Sequence, residues 1–167
     1  MGLPQQQRMG SEMNQGNVGE KCGDEVVLTI PSDPRMLKIV RAGVGHLCAI
    51  MGFTNLEKNS VVLAVDEACS NIIKHAYGGE NGHPIEIRCR MFPDRLEVRL
   101  RDYGKKADLQ RVQAPATDRV RPGGFGLHLI RTVMDTVQYS NDPVLGNHLL
   151  LVKHKRDTEE RRGGSKS

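Results

Sequence analysis

The sequence predicts an α/β fold, a two-layer sandwich with helices packed on one face of a mixed, mostly antiparallel sheet. Three observations predict it. First, Ile85, Ile87, Cys89 and Met91 alternate with Glu86, Arg88 and Arg90, and Leu96, Val98 and Leu100 alternate with Glu97, Arg99 and Arg101. Strict alternation gives strands with one buried and one wetted face, as in an antiparallel sheet covered on one side. Second, two other segments place apolar residues at steps of three and four, the period of a helix face. Third, the elements run strand, two helices, hairpin, long loop, helix, hairpin, an order that suits one sheet with its helices in a second layer.

Each element has its own grounds. Val26 to Ile30 is an apolar, largely β-branched run stopped by Pro31, which reads as a strand. Ser32-Asp33-Pro34 then offers an N-cap followed by proline at the first helical position. Leu37, Val40, Val44, Leu47 and Met51 share one helix face, weakened by Gly43 and Gly45 and ended by Gly52. Thr54 with Glu57 three residues on is a capping box. It opens a second helix with apolar positions Val61, Val65, Ala68, Ile72 and Ala76, closed by Gly78-Gly79. Pro93-Asp94 turns the hairpin, whose outward arginines alternate with glutamates and read as a solvated face. Residues 103–122 have no periodicity, and a loop of that length inside a domain is often a functional lid. A short helix follows from Leu127 to about Met134, then strands around Thr136–Ser140 and His148–Lys153, with Asp142-Pro143 and Gly146 in the turn.

The chain has 167 residues, enough for one domain with a real core. Residues 1–23 read as a disordered N-terminal tail, 24–153 as the folded domain and 154–167 as a charged disordered tail. The net charge of +4 invites a nucleic-acid reading, but residues 153–167 hold six basic and three acidic groups, and residues 24–152 are nearly balanced. That distribution argues against direct nucleic-acid binding by the folded part. No apolar run reaches the roughly 18–20 residues of a membrane span, and the N-terminus has no apolar signal core. A cytoplasmic protein without membrane contact is therefore expected. Cys22, Cys48, Cys69 and Cys89 show no metal-clip or redox-pair spacing and read as reduced thiols, most of them in apolar segments.

Three clusters carry chemistry. Glu67 and Asn71 are four apart on the second helix, so they lie on one face. The carboxylate can take a proton from an attacking hydroxyl, and the amide oxygen suits Mg²⁺, a hard cation that keeps waters and substrate phosphates. Asp102-Tyr103-Gly104 ends the hairpin strand. An aspartate there can accept from an exocyclic amine such as that of adenine, and glycine allows close approach. Arg121-Pro122-Gly123-Gly124-Phe125-Gly126 leads into a helix, and such glycines present backbone N–H groups to phosphate. Each cluster alone also has an ordinary reading, as a polar helix stripe, turn chemistry or a lid hinge.

Together, in this order, the clusters resemble the boxes of the Bergerat-fold ATPases, the superfamily of DNA gyrase, a heat-shock chaperone, histidine kinases and mismatch-repair ATPases. The wording Asp66-Glu67-Ala68-Cys69-Ser70-Asn71 with Lys74-His75-Ala76-Tyr77 is similar to one branch, the anti-sigma-factor serine/threonine protein kinases. So is Gly123-Gly124-Phe125-Gly126-Leu127-His128-Leu129-Ile130 with Met134-Asp135, and the resemblance spans about residues 24–153. It implies the Bergerat ATP-binding fold, with ATP and Mg²⁺ as cofactors. Asn71 would ligate Mg²⁺ and Glu67 would be the general base. Asp102 would bind the adenine amine, with Gly104 giving the ring room. Gly124 and Gly126 would offer N–H groups to phosphates, with Arg121 as a cation near the terminal phosphate.

The resemblance further implies a kinase that phosphorylates an anti-sigma-factor antagonist in a partner switch and binds a sigma factor. It also implies a candidate homodimer face on the first helix and strand. Two positions depart from the family pattern. The Asp-x-Gly box continues Lys105-Lys106-Ala107-Asp108, a more charged lid base. Asn147 follows Gly146 where kinase members often carry threonine near the adenine, as a substitute hydrogen-bonding group or a weakening one. The charged lid base motivates an alternative, a non-catalytic ATP-binding module that switches partners without phosphotransfer.

Overall fold

The computed structural model describes residues 23–107 and 125–156. The expected tails, most of the lid, Arg121 and Gly124 lie outside the described residues. Five strands form one sheet: β1 (Asp24–Pro31), β2 (Pro84–Met91), β3 (Arg95–Asp102), β4 (Thr136–Asp142) and β5 (Gly146–His154). Their order is β1-β2-β3-β5-β4 and every described pairing is antiparallel. The sheet therefore needs no parallel crossover among the described strands, which refines the mixed sheet that the sequence predicts.

Helices α1 (Leu37–Ile50), α2 (Asn55–Asn71) and α3 (Phe125–Val133) make the second layer, with α2 packed against both of the others. Asp33 caps a short 3-10 turn over Pro34–Met36, so α1 proper starts at Leu37, one turn later than the proline suggests. The Thr54 capping box is complete: Thr54 Oγ1 accepts from Glu57 N at 3.2 Å, and Thr54 N donates back to the Glu57 carboxylate at 2.8 Å. Two orphan donors at the start of α2 are thus satisfied.

The sequence parity holds across the sheet. Ile85, Ile87, Cys89, Leu96, Val98, Leu100 and Leu151 are buried under Val40, Val44, Val61, Val65 and Ile130 of the helices. Each such side chain contributes roughly 1.5–3 kcal/mol by leaving water. The opposite face carries a ladder of ion pairs. Arg88 meets Glu86 at 2.8 Å and Glu25 at 3.2 Å, Arg90 meets Glu25 at 2.9 Å, and Arg95 meets Glu97 at 3.0 Å. Arg88, Arg90 and Arg95 are thus paired with carboxylates on a wetted face, where such pairs contribute about 0–1 kcal/mol each. Among the described residues no helix is long and apolar enough to cross a membrane.

Candidate nucleotide site

The site is built where the apolar parity of the sheet runs out. On β3, Leu96, Val98 and Leu100 face the helices, and the next residue of that parity is Asp102, 5% exposed. On β5, Leu151 and Leu149 face the same way, and the next of that parity is Asn147. Antiparallel register makes Asp102 and Asn147 direct cross-strand partners. A buried polar pair therefore replaces the core at one end of the sheet.

A buried carboxylate needs donors. Asp102 Oδ1 accepts from Asn147 Nδ2 at 2.7 Å and from Gly104 N at 2.9 Å. Burial pushes the Asp102 carboxyl above the usual carboxylate range, against these two hydrogen bonds and the charge of His148. Asn147 Nδ2 also lies 3.3 Å from Gly104 O and 3.2 Å from Lys105 O. The departure from threonine thus becomes part of the floor of the site.

The turn after Asp102 is tied down at each step. Tyr103 N donates to Tyr77 Oη at 3.0 Å, and that hydroxyl donates to Pro84 O at 2.6 Å. Lys105 N donates to Ala76 O at 2.8 Å. Asn141 Nδ2 donates to Ala107 O at 2.9 Å. A side chain on Gly104 would meet Ala76, with the nearest backbone atom 2.5 Å from the position of its Cβ. The bareness of Gly104 is therefore used by close packing of backbone on backbone. The lysine side chains at 105 and 106 point to solvent, so the unusual residues of the lid base leave the backbone of the turn fixed.

Ala76 closes a π-helical turn, Ile72–Ala76, that continues α2 directly from Asn71. Tyr77 N bonds Ile72 O at 3.1 Å, the five-residue step of such a turn. π turns inside helices concentrate at functional sites. Here the wider turn carries the chain from Asn71 to the contact with Gly104 and puts Tyr77 under Tyr103. Tyr77 and Asn141 are supports that sequence reasoning missed. Nothing in local spacing marks them, because their partners are supplied by other elements.

One turn before the π turn stand Glu67 and Asn71, both half-buried. Among the described residues neither side chain has a hydrogen-bond or ion-pair partner, although Asp66 beside them is paired with Arg41 at 2.6 Å. Gly126, in the first turn of α3, lies directly over Glu67: a Cβ there would overlap the carboxylate. The structure thus brings together Glu67 with Gly126, and Asp102 with Gly104 and Asn147, and links the two groups through the turn from Asn71 to Ala76. A shallow depression of about 340 Å³ lies at the other end of the sheet, among Ile50, Met51, Met91 and Phe92. It offers few polar groups and is not this site.

The donor set fits a divalent ion held by one protein oxygen. Among the described residues no group of three or more His, Cys, Asp or Glu could hold a metal alone. The free amide oxygen of Asn71 is a single ligand of the kind Mg²⁺ takes alongside substrate phosphates and waters.

Fold and site together define an ATP-binding domain, with the buried Asp102–Asn147 pair at one end of the site and Glu67, Asn71 and Gly126 at the other. Residues 30–153 match the family model of the histidine kinase-like ATPase domain. The chain is 35% identical over 127 residues to the serine-protein kinase RsbW of Bacillus velezensis, covering 71% of this chain and 79% of that protein. It is 34% identical over 126 residues to the RsbW of Bacillus subtilis, covering 71% and 79%. To the RsbW of Listeria innocua it is 31% identical over 145 residues, covering 82% and 92%. A crystal structure of the RsbU and RsbW domains of a Mycobacterium tuberculosis protein superposes with a TM-score of 0.59 at 14% identity, over 80% of this chain and 33% of that one. At that identity the last likeness shows the fold alone. The chain belongs to the histidine kinase-like ATPases and, among them, to the RsbW-type serine-protein kinases.

Proposed function

We propose that this kinase transfers the γ-phosphoryl group of Mg-ATP to a serine or threonine of an anti-sigma-factor antagonist. In its unengaged state it would bind and hold a sigma factor, so that the phosphorylation state of the antagonist decides which partner the kinase keeps. The observation that carries this reading is the pair of unengaged oxygen-bearing side chains, Glu67 and Asn71, one helical turn apart on α2, with Glu67 beneath the first turn of α3.

Each residue has a role in the reading. The free oxygen of Asp102 accepts from the adenine amine. Asn71 holds Mg²⁺, which when bound neutralises charge on the phosphates. The Glu67 carboxylate takes the proton of the incoming hydroxyl as its oxygen bonds to the γ-phosphorus. The bond from that phosphorus to the β-γ bridging oxygen breaks, and ADP leaves. Gly124 and Gly126 offer backbone N–H groups to phosphate, with Arg121 as a cation beside them. The partners imply that residues 24–153 act as one domain in the cytoplasm, where sigma factors work.

The non-catalytic alternative is disfavoured, because the relatives are kinases and the charged lid base sits on a turn held by its backbone. The test is transfer of radiolabel from Mg-ATP to a candidate antagonist. Wild type is expected to label one hydroxyl residue, and Glu67→Ala to lose at least about a hundredfold in rate, the scale of general-base catalysis. Equal labelling by Glu67→Ala removes the role given to Glu67, and no labelling by wild type removes the reading.

A further inference from the structure

We infer that Asn147 is a positioning residue for nucleobase recognition: its amide nitrogen is consumed by Asp102 and the turn after it, so it sets the aim of Asp102 and does not itself donate to the nucleotide. The inference rests on the reading of Asp102 as the acceptor for the adenine amine.

The geometry dictates how the amide sits. The three groups within reach of Asn147 Nδ2 are Asp102 Oδ1 at 2.7 Å, Gly104 O at 3.3 Å and Lys105 O at 3.2 Å. All three are acceptors, and only the NH₂ end of an asparagine can face acceptors. Its two hydrogens are then shared among three oxygens, and none remains for a ligand. The residue is 8% exposed, so its position is set by packing from all sides.

The consequence falls on Asp102. Its Oδ1 is filled by Asn147 and by Gly104 N. The carboxylate is thereby held in one rotation, with Oδ2 as the oxygen left for a donor. An ionised carboxylate accepts only. A base that presents an amine there is accepted, and one that presents a carbonyl meets lone pair against lone pair. The same two bonds favour the charged form of Asp102 against the cost of burial.

Substitutions separate this role from direct contact and from simple scaffolding. A threonine hydroxyl has one proton and can serve one of the three acceptors. Asn147→Ala serves none. Asn147→Asp sets a second carboxylate against the first, so that the pair shares a proton. We expect Asn147→Ala to raise the KM for ATP by about tenfold to a hundredfold, the scale of one lost hydrogen bond to a charged group, with kcat within about threefold of wild type. Asn147→Thr should fall between the two.

The distinguishing readout is pH. In Asn147→Ala the loss of ATP affinity on acidification should begin at higher pH than in wild type, because Asp102 has lost a bond that favours its charge. The titratable groups that act on Asp102 through charge are the His148 imidazole, on the opposite face of β5, and the Tyr77 phenol, both unchanged in the variant. The experiment measures KM and kcat for ATP and for GTP between pH 5.5 and 8 on the full chain, with thermal melting as a check of folding. A KM unchanged in Asn147→Ala, or kcat and KM falling without a change in the pH profile, overturns the inference. If the variant does not fold, Asn147→Thr carries the same comparison. A wild type that shows no ATP binding overturns the reading of the site itself, an outcome distinct from failure of Asn147 alone.

Discussion

Asp102, in the role proposed for it, would serve the ligand at the expense of the fold. It is buried, and its carboxyl is held above the ordinary range chiefly by desolvation. For a carboxylate with a raised folded pKa, the folded state binds more protons than the unfolded one between the two values. The favourable contribution is then complete below the unfolded pKa and is lost as pH rises through the folded value. At neutral pH the molecule carries the cost of a buried charge. Asp102→Asn removes that charge while its Oδ1 still accepts from Asn147 Nδ2 and Gly104 N. The variant should melt at the same or a higher temperature than wild type at pH 7, with the gap closing as the pH is lowered towards 4. Its outward group would then be an NH₂ donor where the proposed role needs an acceptor for the adenine amine, so ATP affinity should fall about a hundredfold or more. Paired melting curves at pH 7 and pH 4 with a nucleotide titration check both halves. A variant less stable at pH 7 that keeps its ATP affinity removes the assignment.

At the scale of elements, α2 organises the site, and α3 is placed on it through a missing side chain. Gly126 lies where any Cβ would strike Glu67. Gly126→Ala should leave stability equal or slightly higher, since alanine favours a helix over glycine by about 1 kcal/mol. Phosphotransfer should nevertheless drop at least about tenfold, because Glu67 must swing away or α3 must lift. A rate assay beside a melting curve decides it, and a fully active variant means that α3 rides elsewhere during turnover. The elements themselves were legible in the sequence because each depends on local chemistry. The alternation from Ile85 to Leu100, the Thr54 capping box and the helical face from Leu37 to Met51 all appear as read. Glu67, Asn71 and Asp102 were legible as candidates by their spacing, whereas Gly126, read as a glycine before a helix starting at Leu127, lies inside a helix that begins at Phe125. Less local features were not. The π turn at Ile72–Ala76 follows residues whose 3.6-residue pattern runs on without a break, and it is fixed by Gly104 and Tyr103 packing against it from β3. The bond from Asn147 to Asp102 depends on the register of β3 on β5, and that register comes from pairing across 45 residues of chain.

For the whole molecule, the cysteines turn the core into a reporter of ligand binding. Cys48 on α1, Cys69 on α2 and Cys89 on β2 are free, buried and members of one apolar cluster spanning both layers. Burial pushes their thiols up, to about 11 for Cys48 and about 12 for Cys69 and Cys89. At pH 8 the reactive thiolate is therefore scarce in the folded state, and a bulky thiol reagent has no path to it. Labelling should proceed through opening of the core, at a rate set by the population of the open form when reclosing is fast. A ligand that binds only the closed fold lowers that population by the factor 1 + [L]/Kd. At an ATP concentration of about one hundred times Kd, modification of these three cysteines should slow about a hundredfold. The three should slow together if α1, α2 and β2 open as one unit. Mass spectrometry of peptides after timed labelling, with and without Mg-ATP, reads each site separately. Labelling of Cys69 at the rate of an exposed thiol, or no slowing in a protein that binds ATP, shows that the helix layer opens without releasing the nucleotide.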